Sequence, residues 1–201
     1  MTASRTSAVW AIVPVKGFAH GKSRLGQVLG DSLRSAFARS LFEHVVEVLS
    51  AVELVAAIVV ITDDDEVASY ARERGAAVLR DPPGANLAQV VDAALSEASA
   101  GGASAALVCM ADLPELCADD IRGALLLLET CEVVVAPDLN ERGTNLLCLA
   151  PPVVMPSCFG SGDSFRLHLL GAQERALRAA VSRAPGICFD VDEPDDLARI
   201  G

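Results

Sequence analysis

The 201-residue chain is 52% hydrophobic and 21% charged, which supplies apolar material for one well-filled core, so a single domain over 1–201 is expected. Its formal net charge of -11 excludes nucleic acid as an expected partner. It also requires any site for anionic substrates to gather Lys and Arg side chains, or a metal, locally.

Few aromatics among many Ala, Leu and Val residues point to aliphatic layers of the α/β kind. The six cysteines (Cys109, Cys117, Cys131, Cys148, Cys158 and Cys188) form no CxxC pair and are expected to be reduced and buried. Met1 to Trp10 lacks the apolar stretch of a signal peptide, and no run reaches the roughly 18 residues of a membrane span. A soluble, cytoplasmic protein without a membrane partner is therefore expected.

In chain order, Ala8 to Val13 reads as a buried strand ending at Pro14. The segment that follows, Val13 to Leu25, reads VPVKGFAHGKSRL and places Lys16, Lys22 and Arg24 with Gly17 and Gly21 ahead of the first long helix, Asp31 to Ser50. Glycines let backbone approach phosphate oxygens while the cations neutralise them, which suits a triphosphate; the alternative is a solvated basic loop. It is not a Walker A loop, because Gly17 and Gly21 are only four residues apart.

Further strands are expected at Ile58 to Thr62, Ala76 to Leu79, Ala105 to Met110, Val133 to Ala136, Leu146 to Leu149 and Ile187 to Val191. Helices are expected at Glu66 to Arg74, Asn86 to Ala100, Asp119 to Thr130 and Ser164 to Ala180. Such alternation predicts a three-layer, doubly wound, mixed but mainly parallel sheet with ligands outside the carboxyl ends of its strands.

Those ends carry the chemistry. Asp112 leaves an apolar strand directly, and Asp190 and Asp192 alternate, so on a strand they would face one side. Together they supply the few carboxylates that magnesium takes alongside substrate phosphates; the alternatives are a turn for Asp112 and a helix cap for Asp192 before Pro194. Asn86, in the loop from Asp81 to Leu87, is read as an N-cap or as a reader of a purine edge. Asp63 and Asp64 border the same region, but a cap explains Asp64, so neither is taken as catalytic. Thr144 and Asn145, with the glycine-rich turn Phe159 to Ser164 opening a helix, suit a second anion. His168, one turn later, is expected to pack against the sheet rather than face the pocket.

These segments resemble the guanylyltransferases that make the activated side-chain precursor of the deazaflavin coenzyme F-420. The matching pieces are VPVKGFAHGKSRL, VITDDDEV (Val60 to Val67), ADLPEL (Ala111 to Leu116), APDLNERGTN (Ala136 to Asn145), SFRLH (Ser164 to His168) and DVDEPDDL (Asp190 to Leu197). The resemblance implies a nucleotidyltransferase fold similar to the glycosyltransferase A type and to molybdenum-cofactor (MobA-like) enzymes. The implied reaction moves GMP from GTP to phosphoenolpyruvate, 2-phospho-L-lactate or 3-phospho-D-glycerate, releasing pyrophosphate. It implies that Pro14, Val15, Lys16, Lys22, Ser23, Arg24, Asn86 and Asp112 surround the nucleotide, with Lys16, Lys22, Arg24 and Asp112 catalytic. Asp112, Asp190 and Asp192 would hold magnesium, as one ion or two. Thr144, Asn145, Gly160, Gly162 and Ser164 would hold the acid. The turn is one residue longer than the family's FGxxSF, leaving open which of Gly160 and Gly162 contacts it. A downstream transferase of the same pathway and a second copy of the chain are candidate partners. Competing readings are a MobA-like enzyme acting on a sugar phosphate or molybdopterin, and a non-catalytic nucleotide-binding regulator.

Overall fold

A computed structural model describes residues 8–19 and 21–200. His20 of the first loop and residues 1–7, part of the segment read for a signal peptide, lie outside the described residues.

The elements run β1 (Val9–Pro14), a 3-10 turn (Ser23–Gln27), α1 (Asp31–Ser50), β2 (Val55–Thr62), α2 (Asp65–Glu73), β3 (Ala77–Arg80), α3 (Leu87–Ala100) and β4 (Ala105–Cys109). They continue with α4 (Ala118–Leu127), β5 (Val133–Pro137), β6 (Thr144–Leu149), α5 (Ser164–Glu174), β7 (Ala179–Val181), α6 (Pro185–Cys188) and α7 (Pro194–Ile200). One sheet has the order β3-β2-β1-β4-β6-β5-β7. Among the described residues, β6 alone runs against its neighbours, pairing antiparallel with β4 and β5. This is the expected mixed, mainly parallel α/β sheet.

Alternation along the strands makes two cores. Ala11 and Val13 of β1 face α1, α2, α4 and α6, whereas Ile12 faces α3 and α5. Helix α1 buries the stripe Leu41, Phe42, Val45, Val46 and Leu49 but has no side-chain cap at Gly30. A cap contributes about 1 kcal/mol, whereas each fully buried aliphatic or Phe side chain contributes about 1.5–3 kcal/mol, so packing sets this helix in place.

Two expectations near the C-terminus are corrected. The helix from Ser164 stops at Glu174, Ala176 turns to a φ of 54°, and Ala179–Val181 becomes the edge strand β7 beside β5. The run Ile187 to Val191 is not a strand: Pro185 starts the short helix α6, which buries Ile187 and Cys188 against the α4 side of the sheet. Apolar residues there satisfy the core without joining a ladder.

Asn86 caps α3 through a full capping box. Its Oδ1 accepts from the Gln89 amide at 3.0 Å while its own amide donates to Gln89 Oε1 at 2.9 Å. Asn86→Ala is expected to lower stability by about 1 kcal/mol in urea unfolding.

Candidate functional site

The order of β2, β1 and β4 reverses the direction of winding at β1, so the carboxyl ends of β1 and β4 open the crevice where an α/β sheet takes ligands. The β1 end is held by the Val15 amide, which donates to the Ile61 carbonyl at 2.9 Å. Gly17 then passes so close to the α2 cap that a Cβ there would lie 2.4 Å from Asp64 Oδ2. Lys22 adopts the left-handed conformation (φ 54°) and begins the 3-10 turn. That kink sends its ammonium between two carboxylates: it donates to Asp112 Oδ2 and, at 2.8 Å, to Asp192 Oδ1.

The acidic residues arrive from two segments. Asp112 follows β4, and its carbonyl accepts the Val191 amide at 3.2 Å, which draws the extended chain after α6 alongside. Asp190 and Asp192 therefore converge on Asp112 through this bond rather than through a shared strand. One oxygen from each of the three carboxylates lies within 4.8 Å of the others. Asn145 supports the group, its Nδ2 donating to the Ile187 carbonyl at 2.9 Å and to Asp190 Oδ1 at 3.2 Å.

Asn145 can do this because of a register shift. Ala136 pairs with Leu146 and Pro137 with Thr144, leaving Asn145 as the extra residue of a bulge. It thus turns toward the α6 side while Thr144 turns toward α5, where its Oγ1 meets His168 Nδ1 at 3.0 Å.

The electrostatics call for positive charge. Burial, then the charge of Asp112, push the Asp190 carboxyl up to about 6, against the Asn145 hydrogen bond. Burial works to lower the Lys22 ammonium, but the charges and hydrogen bonds of Asp112 and Asp192 outweigh it and raise it above the usual lysine value. Two carboxylates at 4.8 Å repel by about 3 kcal/mol at an effective dielectric of about 20, and one ammonium cannot neutralise three of them. Asp112 Oδ1 is buried without a hydrogen-bond partner among the described residues. The donor set, the excess negative charge and the orphaned oxygen all fit a divalent cation.

Three cavities lie in series. The middle one, about 250 Å³, is lined by Pro14, Val15, Lys16, Lys22, Asp112 and Asp192. Lys16 also lines a cavity of about 290 Å³ between Gly17, Asp63, Asp81, Pro82 and Gly84 at the ends of β2 and β3. Asp192 also lines one of about 430 Å³ with Arg24, Arg142, Gly143, Gly162 and Asp190. In the third, Asp138 holds the rim by accepting the amides of Asn140, Arg142 and Gly143 at 3.1, 2.9 and 2.9 Å.

Most residues singled out in the sequence thus gather on one edge. Arg24 lies at the rim, paired with Glu193 at 3.2 Å, and Ser23 opens the 3-10 turn. Gly162 lines the third cavity, while Gly160 (φ 83°) turns the chain beside Leu87. Thr144 and Ser164 are buried behind that wall, and Asn86 is engaged in its cap. Asp192 is no helix cap: Asp196 accepts the amides of Asp192 and Glu193 ahead of α7 at 2.9 and 2.8 Å. Asp63, which the sequence does not mark as catalytic, and Asp81, which it marks only as the start of the loop to Leu87, both line the first cavity. Asp81 directly follows β3, the same strand-end signal that marked Asp112.

The chain matches the family described as "Guanylyl transferase CofC like" over residues 9–200. It is 36% identical to the phosphoenolpyruvate guanylyltransferase of Sphaerobacter thermophilus, over 94% of this chain and 91% of that one. It is 38% identical to the enzyme of that name from Rubrobacter xylanophilus (96% and 93%). The 3-phospho-D-glycerate guanylyltransferase of Phenylobacterium zucineum is 31% identical (94% and 88%). Among solved structures, a Desulfovibrio desulfuricans protein assigned as a nucleotide-diphospho-sugar transferase superposes with a TM-score of 0.79 at 17% identity, over 96% of this chain and 85% of that one. The 4-diphosphocytidyl-2C-methyl-D-erythritol synthase of Anaerococcus prevotii does so at 0.67 and 9%, over 98% and 95%, and both share the fold. With the family matched from β1 to the end of α7, the chain belongs to the CofC-like guanylyl transferases.

Proposed function

We propose that the chain transfers GMP from GTP to a phosphorylated three-carbon acid, namely phosphoenolpyruvate, 2-phospho-L-lactate or 3-phospho-D-glycerate, in coenzyme F-420 biosynthesis. The observation that carries this reading is the cluster of Asp112, Asp190 and Asp192 around Lys22, at the junction of two cavities that suit a donor and an acceptor. The names of the relatives supply guanylyl as the donor group and two of the acids.

In this reading the base occupies the cavity at Asp63 and Asp81, the phosphates lie along Lys16, Lys22, Ser23 and Arg24, and the acid sits beyond Asp192. Asp81 Oδ1 is buried and unpartnered among the described residues, and burial, then the charge of Asp63, raise its pKa against Lys16. Guanine offers such an oxygen two donors, its ring N1–H and exocyclic amine, whereas adenine turns an acceptor ring nitrogen toward it. An acceptor phosphate oxygen attacks the α-phosphorus of GTP, the bond from that phosphorus to the β-phosphate oxygen breaks, and pyrophosphate leaves. The nucleophile is already ionised at neutral pH, so no general base is needed. The residues' task is to overcome repulsion between anions and hold them in line. Asp112, Asp190 and Asp192 would hold magnesium, as one ion or two, and when bound it supplies positive charge to the phosphates.

Three outcomes are expected. Pyrophosphate should appear on mixing GTP, magnesium and one of the acids, and Asp112→Ala should abolish it while leaving circular dichroism unchanged; a non-catalytic binder would release none even as wild type. Lys22→Met should lower the thermal midpoint in EDTA and regain most of it with magnesium, read by calorimetry, because Asp112 and Asp192 lose the ammonium that pairs with both. Asp81→Asn should raise the KM for GTP by about tenfold or more and gain activity with xanthosine triphosphate, whose C2 carbonyl accepts where the guanine amine donates.

A further inference from the structure

Behind the third cavity lies a polar network that the mechanism above leaves unused. His168 is fully buried on α5, and both of its ring nitrogens are engaged. The Cys158 amide donates to Nε2 at 2.8 Å, and a backbone amide can only donate, so Nε2 carries no proton. Burial pushes the ring down to about 4, against a hydrogen bond with the Ser164 backbone, so it is neutral at physiological pH. Its one proton is therefore on Nδ1, which donates to Thr144 Oγ1 at 3.0 Å.

The Thr144 and Ser164 hydroxyls lie 3.2 Å apart. They own two protons, and only one can lie between them. Because Nδ1 donates to Thr144, neither hydroxyl can spend its proton on the ring. One proton of the pair is left over and points away from His168. Thr144 directly follows Gly143, and Ser164 stands two residues after Gly162; the two glycines line the third cavity, and the two hydroxyl residues are buried just behind them. The Phe165 amide donates to the Arg142 carbonyl at 3.1 Å and ties that rim to α5. The His168 ring also packs edge-on against Phe159, with centroids 5.0 Å apart, at the start of the turn carrying Gly160 and Gly162.

We propose that His168 is a positioning residue for the acceptor. Its fixed Nδ1–H directs the Thr144–Ser164 hydroxyl pair to donate one proton to the anionic acid in the third cavity, while Nε2 separately anchors the turn at Cys158. The inference rests on the acceptor reading given above.

The two arms separate by substitution. His168→Asn keeps a donor near the Nδ1 position but leaves the Cys158 amide unpartnered. His168→Gln keeps an acceptor near the Nε2 position and removes the donor to Thr144. Steady-state kinetics with phosphoenolpyruvate, 2-phospho-L-lactate, 3-phospho-D-glycerate and GTP, beside urea unfolding, read both arms. The Gln variant should unfold near the wild-type midpoint, with the KM of the acid raised about tenfold and that of GTP unchanged. The Asn variant should be the less stable one, with the acid's KM within about threefold of wild type. If it does not fold, the Gln variant decides alone. A wild-type KM for the acid in the Gln variant, or acid KM values that only follow the loss of stability, overturns the role of His168. Wild-type enzyme that turns over none of the three acids overturns the acceptor reading and this inference with it.

Discussion

Three carboxylates brought within 4.8 Å of one another repel, and the fold is arranged to hold them there regardless. The bond from the Val191 amide to the Asp112 carbonyl fixes the distance between two segments far apart in sequence. Asn145 fixes the direction of Asp190, and the left-handed kink at Lys22 delivers an ammonium to the gap. The half-buried Asp112 and Asp190 are held by these contacts, whereas Asp192 stays exposed to water on one side. A site of this kind stores a demand for cations.

The same constraint explains the sharing of residues between cavities. Lys16 belongs to the first and middle spaces and Asp192 to the middle and last. Cations are thus set singly among carboxylates along the edge of the sheet: Lys16 near Asp63 and Asp81, Lys22 at the triad, and Arg24 and Arg142 among Asp138, Glu193 and Asp196. In a chain of net charge -11, such local order matters more than the overall field.

The first four strands are legible because each is an apolar run that gives way to Pro or a charged residue at the ligand edge: Pro14, Asp63, Arg80 with Asp81, and Asp112. Asp112 was found by that rule, and Asp81 obeys it equally but was read only as the start of a proline-rich loop. Asp190 and Asp192 were found through an alternation that the structure does not use; their convergence depends on a long-range bond to Asp112 that no local pattern encodes. The last third misled for a physical reason: Ile187 and Cys188 are apolar enough for a strand, but Pro185 preorganises a helical turn that buries them as well. His168 was expected to pack, and it does, but burial also imposed hydrogen bonds on both nitrogens that spacing cannot reveal.

The bulge at Asn145 is a single surplus residue, yet it decides which side of the sheet each half of the chemistry occupies. With unbroken alternation Asn145 would share the face of Leu147, among α3 and α5, and Asp190 would lose its amide. With the bulge, neighbouring residues serve opposite faces: Thr144 meets His168 of α5, and Asn145 meets Asp190. One residue of slack thus lets a single strand end hold both the carboxylate cluster, through Asn145, and the buried network at His168, through Thr144.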